Sequence, residues 1–358
     1  MTVNTLRVAL DARRLQDRPL GGVGRSLAGV IDLLATEVDI VLLTDGRRPP
    51  VESTLAQHPL RPPTGAPETM WIQWHVPRWL RQFDGVFHGT FNQLPLRPPV
   101  PAVVTIHDLS FELHPEGFSP AKRRAFQLQA RRAARVARRV LVPSSFTKDE
   151  LAQCYGVEAQ RILVTPWGVE SRFGPSRAAA AVPLCAQLGV AGRYVIAMGG
   201  ARRRGLGVAV AAWRKVRAAG TETALVVVGS ERPPAEPGLT YAGAVSDVEW
   251  AALLAGAEAF CYPTRYEGFG VPALESIASG TPVVCAPIAS LPEVLGDAAE
   301  WCEEPTVDAI AAGLHRVLDD PTRADHLRRR GLARAANHPT WEQTASVMLQ
   351  AYRDADGR

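Results

Sequence analysis

The stretch Phe260-Cys-Tyr-Pro-Thr-Arg-Tyr-Glu267-Gly-Phe-Gly270-Val-Pro-Ala-Leu-Glu275-Ser-Ile-Ala-Ser-Gly280-Thr-Pro-Val-Val-Cys285 contains two short apolar runs on either side of a glycine turn. This pattern predicts a buried parallel strand over 257–262, a helix over 272–279 that Gly280 terminates, and a second strand over 282–285. The N–H groups of the glycine turn and the positive end of the helix would point at one place. That arrangement suits a phosphate or a polar sugar.

Two carboxylates flank this turn. Glu267 follows the first strand, and Glu275 lies eight positions later in the predicted helix. Carboxylates accept hydrogen bonds from vicinal hydroxyls, so one could hold a hexose and the other a ribose. A pair of solvated surface glutamates is the plain alternative when either residue is considered alone.

The pattern Tyr-Glu-Gly-Phe-Gly-x-Pro-x-Leu-Glu-x-x-Ala-x-Gly-x-Pro-Val-Val resembles the signature of the retaining, nucleotide-sugar-dependent glycosyltransferases of family 4 (GT4). The resemblance extends, with gaps, over nearly the whole chain and is densest over 241–300. It implies the GT-B fold, in which two Rossmann-like parallel-sheet domains face a cleft and a C-terminal helix crosses back. It also implies front-face transfer of a hexose from a nucleoside diphosphate, without a general base.

Strands alternate with helical patterns in both halves of the chain, which predicts two parallel sheets. We expect a first, acceptor-binding domain over 1–170, with the final helix 341–358 packed back on it. Residues 171–192, rich in alanine and containing two prolines, are predicted to be a linker and lead-in. The donor domain is expected over 193–340.

Composition favours a globular protein, because 46% of the residues are hydrophobic and 21% are charged. The 358 residues carry a formal net charge of +4, which is too small to favour a nucleic-acid partner. The five cysteines are widely spaced and form no metal or disulfide pattern, which favours a reducing cytoplasm. Neither a secretory leader nor an apolar stretch long enough to cross a membrane is predicted.

The first half carries two candidate ligand contacts. The stretch Gly21-Gly22-Val23-Gly24-Arg25 lies between a predicted strand and a helical pattern; this arrangement can cradle phosphates, although a plain turn is the alternative. His107 ends a predicted strand, where doubly wound sheets bind ligands. The resemblance implies that Gly22 and Gly24 contact the donor diphosphate or the acceptor, and that His107 reaches the donor sugar.

Three arginines form the candidate phosphate clamp of the second half. Arg202, Arg203 and Arg204 follow two glycines at the end of a predicted strand, and guanidinium groups bind phosphate oxygens bidentately. GT4 members usually carry Arg-Lys-Asn here, so Gly205 replaces the asparagine. The resemblance implies that the catalytic residues are His107, Arg203, Arg204 and Glu267. The donor-binding residues that it implies are Gly22, Gly24, Gly199, Gly200, Arg202, Val245, Gly268, Phe269, Gly270, Val271 and Glu275.

The segment 120–140 predicts a strongly basic helix with one apolar face, which consists mostly of alanine. Such a helix can lie on an anionic membrane surface through 121–140; the plainer interpretation is a helix packed on its own sheet. The tryptophans of 70–80 are likewise either core residues or part of a surface that contacts the acceptor or a membrane. The expected location is therefore the cytoplasm, with peripheral contact to the inner face of the membrane as an open alternative.

The donor, acceptor and metal requirement follow less directly from the sequence. The overall similarity favours mannosyltransferase- or rhamnosyltransferase-like relatives and GDP-mannose as the donor, with a glycan, lipid-linked or small-molecule acceptor. The Asp-x-Asp pattern of metal-dependent glycosyltransferases occurs as Asp354-Ala-Asp356, close to the chain end, where order is not expected. No metal and no cofactor is therefore predicted. A nucleotide-sugar epimerase of the same fold and a non-catalytic nucleotide- or glycan-binding protein are the alternative functions.

Overall fold

The computed structural model describes residues 6–17 and 20–357, and the chain divides into two compact units. Unit 1 comprises Met1–Gly168 together with Pro339–Arg358, and unit 2 comprises Val169–His338.

The described part of unit 1 contains seven strands and the helices around them. The strands are β1 (Arg7–Asp11), β2 (Asp39–Thr44), β3 (Ala56–Pro59), β4 (Val86–Gly89), β5 (Ala102–Thr105), β6 (Arg139–Val142) and β7 (Ile162–Val164). The helices are α1 (Gly22–Ala35), α2 (Glu68–Met70), α3 (Val76–Leu80), α4 (Ser110–Leu113), α5 (Pro120–Val136) and α6 (Ser145–Tyr155). One turn of π-helix, Trp71–His75, joins α2 to α3.

Unit 2 contains six further strands in an equivalent arrangement. The strands are β8 (Tyr194–Met198), β9 (Ala224–Val228), β10 (Leu239–Gly243), β11 (Ala259–Cys261), β12 (Val283–Cys285) and β13 (Ala299–Trp301). The helices are α7 (Ala178–Gln187), α8 (Leu206–Ala218), α9 (Asp247–Gly256), α10 (Val271–Ala278), α11 (Leu291–Leu295), α12 (Val307–Leu318) and α13 (Pro321–Ala336). The last helix of the chain, α14 (Trp341–Asp356), belongs to unit 1.

Both sheets are doubly wound. The strand order is β3-β2-β1-β4-β5-β6-β7 in unit 1 and β10-β9-β8-β11-β12-β13 in unit 2, and every pairing is parallel. The strand order reverses between β1 and β4 in the first sheet and between β8 and β11 in the second. Ligands bind outside the carboxyl ends of the strands at such a reversal. Two parallel-sheet Rossmann-like domains, as predicted, are therefore present.

The local structure differs from the sequence patterns in four places. The segment 46–67, in which no element is predicted, contains strand β3, an exposed edge strand whose sequence Ala-Gln-His-Pro has no apolar alternation. The helix predicted over 120–140 ends at Val136, because Ala137 is extended and β6 begins at Arg139. The lead-in 171–192 contains α7, which packs on α9. The glycine stretch after β1 is the first turn of α1, which begins at Gly22.

The apolar face of α5 is covered by its own domain. Ala130, Ala133 and Ala134 are buried and belong to the hydrophobic core between the helices and the sheet. The alanine face is therefore not available to a membrane, as the plainer interpretation expected. Among the described residues, no helix combines the length and apolarity that a membrane span requires.

Helix α14 packs on unit 1 and is ordered to its end. Thr340 caps it through the amide of Gln343, and Asp354 forms an ion pair with Arg139 at 3.0 Å. The expectation that the Asp354-Ala-Asp356 segment lacks order was therefore wrong, because these contacts fix the last turn. The hydroxyl of Tyr352 hydrogen-bonds Nδ1 of His88 at 2.8 Å, which ties α14 to the centre of the sheet.

Candidate active site

Glu267 and two arginines form the charged centre of unit 2. Glu267 lies in the loop between β11 and α10 and is 7% exposed. Its carboxylate is 3.8 Å from Nη2 of Arg203 and 3.7 Å from Nε of Arg204. Two guanidinium groups thus share one carboxylate, which leaves one net positive charge. A cationic centre of this kind is suited to a phosphate group.

The backbone holds this centre in place. Arg203 and Arg204 belong to a short 3-10 helix, Arg202–Arg204, which follows β8. The carbonyl of Arg203 accepts hydrogen bonds from the amide of Arg265 at 2.8 Å and from the hydroxyl of Thr264 at 3.2 Å. The loop after β8 and the loop after β11 are therefore fixed to each other at the point where the strand order reverses.

Tyr262 and Ser290 position Glu267. The phenol of Tyr262 donates a hydrogen bond to Oε1 of Glu267 at 2.7 Å, and the Ser290 hydroxyl donates to the Glu267 carbonyl at 2.8 Å. Burial, together with the negative charge of Glu267, raises the pKa of Tyr262 well above its usual value. The phenol therefore remains protonated and acts as a donor. This hydrogen bond restricts the orientation of the Glu267 carboxylate.

The second glutamate of the motif, Glu275, is held by a tryptophan. It lies in the second turn of α10, is 3% exposed, and accepts a hydrogen bond from the indole N–H of Trp250 at 2.7 Å. Trp250 is buried in α9 and packs edge-on against Phe260 at a ring distance of 5.9 Å. Because the tryptophan is fixed by packing, its hydrogen bond fixes Glu275. The alternative of a solvated surface glutamate is therefore wrong for Glu275.

Glycines shape the backbone around the arginines. Gly205 has a φ of +68°, and a Cβ there would lie 2.4 Å from the Pro263 carbonyl. Asparagine tolerates the left-handed conformation, but here the close approach also requires the absence of a side chain. Gly270 has a φ of +96° and is the N-cap of α10. The backbone of Gly268, Phe269, Gly270 and Val271 therefore leads directly into the positive end of this helix.

The remaining predicted donor contacts of unit 2 lie in neighbouring loops. Gly199 and Gly200 follow β8, and the amide of Gly200 donates to the Glu231 carboxylate at 3.3 Å. Val245 lies between β10 and α9 and is half-buried. Arg202 is exposed, and none of its contacts joins it to Glu267. The structure thus brings Arg203, Arg204 and Glu267 together and leaves Arg202 outside the cluster.

His107 lies at the carboxyl end of β5 in unit 1, and its ring is buried. Nε2 donates to the Thr90 carbonyl at 2.7 Å, so Nδ1 carries the lone pair. Among the described residues, Nδ1 has no hydrogen-bond partner. Burial lowers the pKa of His107 to about 4 despite the Thr90 hydrogen bond, so the ring is neutral near pH 7. A neutral Nδ1 can accept a hydrogen bond from a hydroxyl.

A small, partly open pocket adjoins His107 within unit 1. Its walls come from α1, the ends of β4 and β5, the segment after β7, and α14, and His88 and Trp167 contribute rings to it. Gly24 lies in the first turn of α1, where a Cβ would be 2.4 Å from the carbonyl of Arg14. A Cβ at Gly22 would make only an ordinary contact with Trp167 at 3.7 Å.

Sequence reasoning did not identify Tyr262, Trp250 and Ser290. A tyrosine five residues before Glu267, at the end of a strand, is a signal that could have indicated Tyr262. Trp250 gave no local signal, because it is 25 residues from Glu275 and meets it only through helix packing. Within the described ranges there is no group of three or more His, Cys, Asp or Glu side chains that could hold a metal ion.

Models of glycosyltransferase families match both halves of the chain. The model of Glycosyltransferase Family 4 matches residues 20–173, and that of Glycosyl transferases group 1 matches residues 192–334. O-antigen chain mannosyltransferase B of Escherichia coli is 30% identical over 285 residues, which cover 75% of this chain and 74% of the relative. MMP alpha-(1->4)-mannosyltransferase of Mycolicibacterium hassiacum is 32% identical over 245 residues, covering 64% and 57%.

Solved structures share the architecture. Sucrose-phosphate synthase from Thermosynechococcus elongatus superimposes with a TM-score of 0.74 at 20% identity, covering 97% of this chain and 98% of that one. At this identity the likeness shows the fold alone. Together with the sequence matches, it shows that the chain belongs to the family 4 glycosyltransferases, has the GT-B fold and is similar to mannosyltransferases.

Proposed function

We propose that this glycosyltransferase is a retaining, metal-independent mannosyltransferase that uses a nucleoside diphosphate as the leaving group, with GDP-mannose as the first donor to test. The observation that carries the proposal is the pair Arg203 and Arg204, which share the single carboxylate of Glu267 at 3.8 and 3.7 Å. The two mannosyltransferase relatives support the choice of sugar.

Cleavage of the donor places negative charge on the departing diphosphate. Arg203 and Arg204 stabilise that charge, together with the positive end of α10. Preorganised donors of this kind commonly provide the largest electrostatic contribution to catalysis. The diphosphate then accepts the proton of the acceptor hydroxyl, so no protein group acts as a general base.

The two glutamates hold the two ends of the donor. Glu267 accepts hydrogen bonds from hydroxyls of the transferred sugar, and Glu275 accepts hydrogen bonds from the ribose. His107 contributes a neutral Nδ1 that accepts a hydrogen bond from a sugar hydroxyl. The acceptor is a glycan, a lipid-linked saccharide or a small molecule.

A calorimetric titration panel of GDP-, UDP-, ADP- and dTDP-sugars, each with and without EDTA, tests the proposal. We expect binding of one nucleotide class, unchanged by EDTA and strongly weakened in Glu275→Gln. Glu303→Gln is the matched control, because this exposed glutamate belongs to the same unit. EDTA-sensitive binding would contradict the metal-free mechanism, and a lack of binding by every donor would favour a non-catalytic protein.

A further inference from the structure

Asn92 has an unusual backbone conformation for a residue other than glycine. It lies in the loop after β4, is 5% exposed, and has a φ of +51°. The left-handed region is disfavoured for residues with a side chain, and asparagine and aspartate enter it most readily. Such strain persists where the surrounding structure requires it, and it is common at functional sites. The contacts of Asn92 show what requires this conformation.

Asn92 holds the backbone on both sides of Ile106. Its amide donates to the Thr105 carbonyl at 2.9 Å, and its side-chain Oδ1 accepts from the amide of His107 at 3.0 Å. In a parallel ladder, a strand residue makes the same pair of bonds with its own amide and its own carbonyl. The Asn92 side chain therefore replaces a backbone carbonyl. It extends the pairing of β4 with β5 while the left-handed backbone turns the chain out of the strand.

The two residues before Asn92 contact the imidazole of His107. The Thr90 carbonyl accepts from Nε2 of His107 at 2.7 Å. Thr90 is itself fixed, because its hydroxyl donates to the Asp11 carbonyl at the end of β1 at 2.6 Å. The ring of Phe91 lies 6.1 Å from that of His107. These three consecutive residues thus contact both the ring and the backbone amide of His107.

Asparagine meets two separate requirements at position 92. Glycine would adopt the left-handed backbone without strain, but it has no side-chain acceptor. Alanine would be strained and would also lack the acceptor. Aspartate would supply the acceptor, but it would place a buried charge close to His107. One of the two requirements is the bond to His107, so the choice of residue at this position is tied to that histidine.

From these contacts we propose that Asn92 is a positioning residue for sugar binding by His107. It holds the ring so that Nε2 donates to Thr90 and Nδ1 keeps its lone pair for a sugar hydroxyl. This role rests on the proposed function, in which His107 contacts the sugar, and Asn92 itself does not touch the ligand. Without Oδ1, the segment after β5 loses one bond of its ladder. The ring can then rotate away from Thr90 and exchange tautomers.

Nitrogen-15 NMR of the histidine rings in the full chain tests this role without any ligand. At about pH 7 the wild-type His107 ring should show one neutral tautomer, with Nε2 protonated, and His107→Gln identifies its signals. Asn92→Gly should give averaged shifts of the two ring nitrogens. Asn337→Gly, the control, removes an exposed side-chain bond to the Ala333 carbonyl in unit 2 and should leave the His107 signals unchanged. An unchanged tautomer in Asn92→Gly would overturn the proposal.

Asn92→Asp is the conservative variant. It keeps an oxygen acceptor at the same place and tolerates the left-handed backbone. At about pH 8, where the His107 ring stays neutral beside the added charge, we expect this variant to retain the wild-type tautomer. Loss of the tautomer in Asn92→Asp as well as in Asn92→Gly would contradict the role of the Oδ1 acceptor.

A double-mutant cycle measures whether Asn92 acts through His107. With GDP-mannose as the probe in calorimetry, Asn92→Gly should weaken binding roughly tenfold, the factor that one hydrogen bond commonly contributes. The same change should have no further effect in the His107→Ala background. Equal weakening in both backgrounds would show a general structural effect and would contradict the proposal.

Failure of the proposed function can be distinguished from failure of this role. If GDP-mannose does not bind the wild type, the proposed donor is wrong, and the tautomer measurement still decides whether Asn92 positions the ring. If GDP-mannose binds and His107→Ala leaves its affinity unchanged, the sugar contact of His107 is wrong, and the role of Asn92 in sugar binding is wrong with it.

Discussion

The indole N–H of Trp250 donates a hydrogen bond to Oε2 of Glu275 at 2.7 Å, and both side chains are buried. Trp250 thereby fixes the orientation of the carboxylate that we assign to the ribose. A hydrogen bond to a charged group contributes about 1.5–3 kcal/mol, which is enough to affect donor affinity.

Replacing this indole should therefore weaken donor binding more than it slows the catalytic step. We expect Trp250→Phe to raise the KM for the donor roughly tenfold with little change in kcat, because the aromatic packing remains and only the N–H is lost. Trp213→Phe is the control, since its indole donates to the Thr223 carbonyl in the same unit. An equal rise of KM in both variants would indicate a general loss of stability instead.

The second prediction concerns the arginine pair. Arg204→Gln should lower kcat by about 10²–10³, because it removes a preorganised cation that stabilises the leaving diphosphate. Arg202→Gln should have a much smaller effect, since Arg202 is exposed and lies outside the cluster around Glu267. Steady-state kinetics of the two variants, made in parallel, measure the difference. Equal losses of kcat would mean that the positive charge of this loop supports catalysis, whatever the position of the arginine relative to Glu267.

The third prediction concerns the contribution of Gly205 to stability. Gly205→Ala should be the more destabilising of two substitutions that both place alanine in the left-handed region. Its control is Gly189→Ala in the same unit, where φ is +70° and no atom lies within 4 Å of the added Cβ. We expect the control to cost about 1 kcal/mol from backbone strain. Gly205→Ala should cost at least about 1 kcal/mol more, because of the clash with the Pro263 carbonyl.

Thermal or denaturant unfolding of these two variants measures the difference in the free energy of unfolding. Similar losses would show that the Pro263 carbonyl can move away, and that the family asparagine would also fit at this position.

The fourth prediction concerns the buried histidines of unit 1. Burial lowers the pKa of His88 to about 3 and that of His107 to about 4, from 6.5. The unfolded chain therefore binds protons below about pH 6.5 that the folded chain does not bind. The free energy of unfolding should fall as the pH falls from about 6.5 to 4, by roughly 3 kcal/mol for His107 alone.

Denaturant unfolding at about pH 7 and about pH 5 tests this sign. His107→Gln should show a shallower loss of stability on acidification than the wild type, because the titrating ring is absent. His58→Gln, at an exposed position of the same unit, should leave the loss unchanged. The account of His107 would be wrong if the two variants behaved alike.

Much of the site backbone could be predicted because its signals are local. The apolar runs gave β11 and β12, and Pro272 with Gly270 indicated the start of α10.

What could not be predicted depends on packing between distant segments. The bond between Trp250 and Glu275 requires α9 to lie against α10, and no pattern within either helix encodes that contact. Strand β3 is an edge strand with mostly exposed side chains, so it lacks the apolar alternation by which strands are recognised.

The most direct test of the central proposal is proton NMR of the mannose signals while the wild-type enzyme acts on GDP-α-mannose in EDTA, with simple mannosides as acceptors. The account predicts that the first sugar product, a mannoside or hydrolysed mannose, has the α configuration, and that Arg204→Gln forms it much more slowly. A β product would contradict the retaining mechanism. Epimerised donor that appears without any acceptor would show that the protein is an epimerase.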